Sequence, residues 1–212
     1  WRVMGLRVPR CAVNVSAIQL HDKNFVQTVL DAINDADGQL PMLDIELTET
    51  LLMQDVAQTR AVLQTLRGVG VNVAVDDFGT GYSSLAYLAR LPINALKIDR
   101  AFIMEMEQST QGVTIVAAII SLAHSLQLEV IAEGVENEVQ AAILQGLQCD
   151  LMQGYLFSHP LSAAALDAFL AGSSLNAVHR TTEPGLEHDI GHNAGSARAA
   201  SAQPSAARPA IR

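Results

Sequence analysis

The sequence is short of basic residues, of cysteine and of long apolar runs. It has 13 Lys and Arg residues against 22 Asp and Glu residues, a net charge of −9, which argues against binding duplex nucleic acid through phosphate contacts. No apolar run reaches the roughly 18 residues that span a membrane. The two cysteines, Cys11 and Cys149, lie far apart. We interpret them as reduced core thiols of a cytoplasmic domain rather than as a disulfide.

The start of the chain lacks both an initiator methionine and a signal-peptide pattern, because the first residue is Trp1. We therefore expect the chain to be part of a longer protein, whose upstream segments could anchor it to a membrane. Half of the 212 residues are hydrophobic, which is enough to form a sizeable core.

Short apolar runs alternate with segments of helical periodicity along residues 1–172, the predicted folded domain. The predicted strands cover residues 12–15, 43–47, 71–75, 95–98, 129–132 and 150–153, and the predicted helices cover residues 22–36, 55–67, 83–89, 113–126, 137–146 and 162–171. This alternation is typical of an α/β fold with a parallel sheet covered by helices. Polar residues follow nearly every strand, which is typical of the active-site edge of a (β/α) barrel.

Two sheet layouts are compatible with six strands. A TIM-type (β/α) barrel needs one or two further strand units, which we expect before Trp1. A doubly wound open sheet is the alternative, but no Gly-rich phosphate loop follows the first strand. Residues 173–212 are rich in Ala, Ser, Pro, Arg and His without periodicity and are predicted to form a disordered tail. Its His188 and His192 have no predicted helix to present them to a metal.

The most informative stretch is residues 76–85, Asp-Asp-Phe-Gly-Thr-Gly-Tyr-Ser-Ser-Leu. Two adjacent carboxylates at a strand end are costly to bury unless a cation neutralises them. Neighbouring side chains of a strand point to opposite faces, so Asp76 and Asp77 reach one metal site only if the strand has ended. Gly79 and Gly81 would supply the turn. The alternative is a solvated turn in which a serine caps the next helix.

Other strand ends carry further polar candidates. Asn14 is either a turn residue that bonds its own backbone or a ligand. Glu46 lies in the largely apolar strand Leu-Asp-Ile-Glu-Leu, which has few solvated positions in a barrel, and is interpreted as a ligand rather than a surface carboxylate. Lys97 also lies in an apolar strand, where a buried ammonium needs an anionic partner, either a carboxylate or a phosphate.

The last two strand ends offer a base and an amide. Glu133 at the rim of the barrel would suit a general base, and its alternative is a carboxylate stabilised by a helix N-terminus. That alternative suits Glu136 better, as support for the loop. Gln153 is either a donor to a ligand or a structural residue. His124, on an apolar helix, is interpreted as a satisfied core residue.

Six motifs follow one another along residues 1–171. They are Asn14-Val15-Ser16, Glu46-Leu47-Thr48-Glu49, residues 76–85, Lys97-Ile98-Asp99-Arg100, Glu133-Gly134-Val135-Glu136 and Gln153-Gly154-Tyr155. Together they resemble the EAL family of cyclic-di-GMP phosphodiesterases. The resemblance implies a TIM-type barrel. It also implies hydrolysis of one phosphodiester bond of cyclic di-GMP, to linear pGpG, with two Mg²⁺ or Mn²⁺ ions.

The resemblance also implies the metal ligands. Asn14, Glu46 and Asp76 would hold one ion, and Asp77 would serve the other ion or bridge the pair. Two ions of this kind clamp the attacking and leaving oxygens of a phosphodiester, and hard oxygen ligands suit them. Asp99, two residues after the lysine of its motif, is expected to approach the second ion.

The catalytic and supporting residues follow from the same resemblance. Lys97 would polarise the attacking water and the phosphate, and Glu133 would be the general base. Glu49 would hold the loop that starts at residue 76. Glu136 and Gln153 would support the site. The family also implies a homodimer and an upstream sensory or GGDEF domain.

One departure from the family pattern is large. The Glu-Ala-Leu motif that names the family, and whose Glu is a metal ligand, does not occur in this sequence. We therefore expect weak or no activity from this chain alone. A non-catalytic cyclic-di-GMP-binding or scaffold module is the second interpretation. A barrel enzyme that uses Lys97 as a Schiff-base nucleophile is the third, and the paired aspartates argue against it.

Overall fold

The computed structural model describes residues 10–35, 43–53, 55–79, 85–178 and 208–209. The chain separates into two compact units. One consists of Pro9–His159 with Ala206–Arg212 and contains the sheet, and the other consists of Trp1–Val8 with Pro160–Ser205 and contains the last helix.

Six parallel strands lie side by side in the order of the sequence. They are β1 (Cys11–Asn14), β2 (Leu43–Thr48), β3 (Asn72–Phe78), β4 (Ala95–Ile98), β5 (Glu129–Glu133) and β6 (Leu151–Gln153), with a two-residue strand β7 (Arg208–Pro209) beside β6. A doubly wound sheet reverses its strand order at a switch point, and this sheet does not. It curls into a half-barrel, so the prediction of a TIM-type barrel is confirmed.

Helices connect the strands on the convex side of the sheet. They are α1 (Ala17–Leu20), α2 (Phe25–Asp35), α3 (Glu49–Leu52), α4 (Val56–Gly68), α5 (Leu85–Leu88), α6 (Arg100–Gln108), α7 (Thr110–Ser125) and α8 (Glu138–Gly146). The other unit contains α9 (Ala163–Val178). None of the helices in the described part of the chain is both long and apolar enough to cross a membrane.

α6 is a nine-residue helix that the sequence pattern did not predict. Asp99 is the N-cap of this helix, because its carboxylate accepts a hydrogen bond from Ala101 N at 2.7 Å. Ser109 then ends α6 and caps α7 by accepting a hydrogen bond from Gly112 N at 2.9 Å. An aspartate after a strand suits a functional site as well as a helix cap, so Asp99 alone does not predict this helix.

Alternate residues of each strand face two different surroundings, as the pleat of a strand requires. The side chains that face the helices are apolar and belong to the main core: Ile45, Leu47, Val73, Val75, Leu96, Ile98, Val130, Ala132 and Met152. A separate small cluster of Ala74, Ala95 and Ile131, with Leu151 packed against it, occupies the other, concave face. Two residues further along the same four strands come Asp76, Lys97, Glu133 and Gln153. The polar residues therefore form the next layer of the concave face.

Two sequence-based interpretations differ from the structure. Cys149 is buried as predicted, but Cys11 is exposed, because it lies on the face of β1 where Val13 is also exposed; both thiols are free. His124 is not a core residue. It lies at the exposed end of α7, with Nε2 2.9 Å from Asp150 Oδ2.

The predicted tail overlaps with the last helix. α9 continues past the expected boundary to Val178, because residues 173–178 contain neither proline nor glycine to end it. Most of the remaining tail, including His188 and His192, lies outside the described residues.

Candidate active site

β3 does not end before the paired aspartates, contrary to the prediction. It spans Asn72–Phe78, and its register with β4 shifts between Val75 and Phe78. Within this irregularity Asp77 has a φ of +54°, in the left-handed region that non-glycine residues rarely adopt. A bulge interrupts the alternation of side chains, so both carboxylates can approach the same edge of the sheet while the strand continues. Gly81, expected to help form a turn, lies outside the described residues.

Lys97 lies at the centre of the candidate site and is only 3% exposed. Its Nζ atom is 2.6 Å from Glu133 Oε1, 2.7 Å from Glu46 Oε2 and 3.0 Å from Asp76 Oδ1. These carboxylates come from β5, β2 and β3, and Lys97 comes from β4. The ammonium thus joins the carboxyl ends of four neighbouring strands.

The charges of this cluster shift the pKa values of its members. Burial on its own lowers the pKa of Lys97, but its hydrogen bonds with Glu133 and Glu46 outweigh that effect, so its pKa lies above the ordinary value of 10.5. Burial raises the pKa of Glu133, and the Asp76 and Glu46 carboxylates raise it further against the opposing effect of Lys97. Lys97 is therefore a cation at neutral pH, while Glu133 is a stronger base than an exposed glutamate.

A second acidic contact lies beside this cluster. Asp99 follows the end of β4 and its carboxylate contacts that of Asp77. Burial raises the pKa of Asp77, and the nearby Asp76 and Asp99 carboxylates raise it further, while Lys97 lowers it. Asp99 therefore lies beside Asp77, and it also caps α6.

Glu49 is buried under the first turn after β3. Its Oε2 atom accepts a hydrogen bond from Gly79 N at 3.0 Å, and the residue is 3% exposed. Gly79 has a φ of +99°, and a Cβ there would lie 2.7 Å from the Phe102 ring of α6. The end of β3 is therefore fixed between Glu49 and α6.

Asn14 and Gln153 flank the central cluster. Asn14 is exposed at the end of β1, in register with Glu46 of β2. Gln153 is in register with Glu133. It lines a cavity of about 240 Å³ together with Arg100, Glu133, Gly134, Glu136, Gly154 and Tyr155.

Two residues of this cavity had no predicted part in the chemistry. Arg100 forms an ion pair with Glu136, and Tyr155 stacks on His159 with ring centroids 4.2 Å apart. Arg100 occurs in a matched motif directly after Asp99, but its distant partner is apparent only in the structure.

The donor set suits hard divalent cations. Three carboxylates, those of Glu46, Asp76 and Glu133, contact the ammonium of Lys97, and the carboxyl groups of Asp77 and Asp99 lie beside them, which leaves an excess of negative charge. Carboxylate and amide oxygens are the ligands that Mg²⁺ and Mn²⁺ prefer. In residues 10–35, 43–53, 55–79 and 85–178, no three acidic, histidine or cysteine side chains are grouped closely enough to hold an ion as they stand. Lys97 occupies the point on which three of the carboxylates converge.

Known proteins are similar to this chain in sequence and in fold. Residues 1–160 match the family described as EAL domain. The cyclic di-GMP phosphodiesterase NbdA of Pseudomonas aeruginosa is 48% identical over 169 residues, which are 80% of this chain and 22% of NbdA. The chain thus spans about a fifth of that relative.

Two solved structures are also similar. The EAL domain of Mycobacterium smegmatis DcpA has a TM-score of 0.75 and 39% identity, over 81% of this chain and 78% of that one. The phosphodiesterase PaMucR, solved with c-di-GMP, has a TM-score of 0.69 and 42% identity, over 73% of this chain and 63% of that one. With a family match over most of its length, the chain belongs to the EAL domain family.

Proposed function

We propose that this protein hydrolyses one phosphodiester bond of cyclic di-GMP and releases linear pGpG. The observation that carries the proposal is the contact of Lys97 with Glu46, Asp76 and Glu133 at the carboxyl edge of the half-barrel. The names of relatives support the substrate, since NbdA is called a cyclic di-GMP phosphodiesterase and PaMucR was solved with c-di-GMP.

Two Mg²⁺ or Mn²⁺ ions are part of the proposal, because the excess of carboxylates fits them. Asn14, Glu46 and Asp76 would hold one ion, and Asp77 would hold the other with Asp99 beside it. When bound, such ions neutralise the phosphate and orient the attacking and leaving oxygens.

Glu133 is the proposed general base. Its raised pKa brings its basicity closer to neutral pH, where a general base is most efficient. It lines the 240 Å³ cavity, so a substrate phosphate at its mouth can approach the carboxylate. Lys97 holds that carboxylate at 2.6 Å and supplies a positive charge for the phosphate.

The test is hydrolysis of cyclic di-GMP, followed by chromatography of pGpG with Mg²⁺, with Mn²⁺ and with EDTA. Two proteins are assayed, the 212-residue chain and the chain fused behind the segment that precedes the matching region of NbdA. We expect metal-dependent pGpG from the fusion and weak or no activity from the chain alone. Glu133→Gln should lower the fusion's kcat by about 10²–10⁴-fold.

Glu129→Gln is the matched control, because Glu129 lies on the same strand, exposed at its opposite end. It should leave the rate within about twofold. Binding of cyclic di-GMP without turnover by the fusion would refute the enzyme and favour the receptor or scaffold interpretation.

The remaining family properties are also proposals. We expect the folded chain to be homodimeric, which light scattering coupled to size exclusion would measure. An upstream sensory or GGDEF domain and a cytoplasmic location for this domain stay predictions.

A further inference from the structure

α6 holds the segment that follows the proposed general base. We define the base loop as residues 133–137, between β5 and α8. We propose that Arg100 is a positioning residue, which fixes the base loop and thereby the carboxylate of Glu133. This inference rests on the proposed function for its kinetic test, and on the contacts of α6 with the base loop for its structural test.

The first contact between α6 and the base loop is at the N-terminal end of the helix. The Arg100 guanidinium donates a hydrogen bond to Glu136 Oε1. The aliphatic part of the same side chain lies over Gly134, where a Cβ would meet Arg100 Cδ at 2.7 Å and Cβ at 2.8 Å. Gly134 has a φ of +69°, which favours glycine. Arg100 therefore packs on the backbone directly after Glu133 and binds the side chain of Glu136, three residues after the base.

The second contact between α6 and the base loop is near the C-terminal end of the same helix. Glu107 Oε2 accepts hydrogen bonds from Asn137 Nδ2 and Gln140 Nε2, both at 3.0 Å. Gln140 is buried, and its Oε1 atom accepts a hydrogen bond from Glu136 N at 2.7 Å. Because Arg100 and Glu107 lie about two turns apart on one helix, α6 fixes the base loop at two separated points.

The end of β6 fixes the opposite side of the loop. Val135 N donates to Gln153 O, and Leu156 N donates to Val135 O, both at 3.0 Å. A Cβ on Gly154 would collide with the backbone of Val135, so the two segments are in close contact. These contacts restrict the movement of the base loop on the side of β6. The exposed ion pair between Arg100 and Glu136 restricts it on the side of α6.

Arg100 contributes little to stability by this arrangement. The side chains of Arg100 and Glu136 are 55% and 39% exposed, and ion pairs with such exposure have small effects on unfolding. A catalytic effect of the pair is therefore separable from a folding effect.

The kinetic test uses Arg100→Met in the active fusion. Methionine keeps the aliphatic contact with Gly134 and removes the guanidinium. We expect kcat to fall about tenfold or more, since small displacements of a catalytic group are costly, with KM within about threefold. Glu136→Gln should lower kcat by a similar factor, and kcat of the double variant should be no lower than that of either single variant. Exchanging the two charges, with Arg100→Glu and Glu136→Arg together, should restore part of kcat.

Arg60→Met, on the exposed face of α4, is the matched control and should leave kcat unchanged. The Tm of Arg100→Met should stay within about 4 °C of the parent. A raised KM at unchanged kcat would overturn the proposal, because Arg100 would then bind substrate directly. Unchanged kinetics in all the variants would overturn it while the proposed function stands.

Amide hydrogen exchange tests the same proposal without any turnover. In Arg100→Met we expect faster exchange at residues 134–137 and unchanged exchange in β2 and β3. Equal protection of the base loop in parent and variant would overturn the inference, whether or not cyclic di-GMP is hydrolysed. Absence of hydrolysis by the parent would refute the proposed function alone.

Discussion

Replacing Lys97 with methionine should destabilise the folded chain strongly. Lys97 contacts Glu46, Asp76 and Glu133 at 2.7, 3.0 and 2.6 Å, and the side chains of these carboxylates are 7%, 12% and 21% exposed. Methionine has nearly the same length but no charge, so three close carboxylates would lose their common cation. Removal of one partner from a buried ion pair costs about 3–5 kcal/mol. This is a large fraction of the roughly 5–15 kcal/mol that stabilises a typical domain.

The assay is urea unfolding of the Lys97→Met chain in the absence of divalent metal. The matched control is Lys23→Met, because Lys23 is the only other lysine of the sequence and is exposed. We expect the control to change the free energy of unfolding by less than about 0.5 kcal/mol.

The pH dependence of this deficit follows from the direction of the pKa shifts. Because the pKa of Lys97 is raised above 10.5, its contribution is complete below that ordinary value and is lost only as pH rises through the folded-state pKa. At pH 7 the parent therefore has the full contribution. In the variant Glu133 loses the cation that lowers its pKa, so its pKa rises further above the ordinary value, and ionisation of this buried carboxylate then destabilises the folded chain.

The deficit should consequently be largest near pH 7 and shrink as pH falls toward the ordinary glutamate pKa of 4.5. A Lys97→Met chain as stable as Lys23→Met at pH 7 would refute the view that this ammonium holds the strand ends together. A deficit that does not change between pH 7 and about pH 4.5 would assign the loss to packing instead of charge.

Two further predictions concern packing and reactivity. Gly154→Ala should lower the free energy of unfolding by about 1–3 kcal/mol or more, because its Cβ meets the backbone of Val135; Gly146→Ala, with open space around it, should be neutral or slightly stabilising in the same urea titration. Cys11 is exposed and should react with a thiol reagent in the folded chain. Cys149 should react only after unfolding, because burial raises its pKa to about 12, and prompt modification of two thiols would contradict this.

Much of the site could be predicted because strand periodicity is a local property. The apolar alternation along β4 and β5 fixes which residues face the helices, and the charged residues between them must then face the other side. Once Lys97 and Glu133 are placed on the concave face of neighbouring strands, their contact needs no further information. The alternation of strand and helix likewise predicts a parallel sheet, but it does not distinguish the sequential strand order of a barrel from the reordered strands of a doubly wound sheet.

The arrangement of the paired aspartates could not be predicted from the same rule. Strict alternation sends Asp76 and Asp77 to opposite faces, and we therefore expected the strand to have ended. The register shift with β4 and the positive φ of Asp77 allow both carboxylates to approach one edge of the sheet while the strand continues. A bulge depends on the pairing with the neighbouring strand, which the sequence of β3 alone does not contain.

α6 shows a different limit of sequence reasoning. Its N-cap, Asp99, is a polar residue after a strand, and such residues were all interpreted as members of the site. The structure gives that carboxylate two contacts, one with Ala101 N and one with Asp77. The helix that it starts then touches Gly79 after β3 and Gly134 after β5, two loops that are remote in sequence.

The contact of Asp99 with Asp77 means that the residue that caps α6 also contributes to the negative charge of the site. Removal of the Asp99 carboxylate would free the N-terminal turn of α6 and also reduce the negative charge beside Asp77. A single substitution there cannot separate positioning from ligation, because both effects alter the same edge of the sheet. Arg100, one residue later, holds the base loop through Glu136 and Gly134. It is therefore the position at which the contribution of α6 can be measured without changing the acidic groups that would hold the ions.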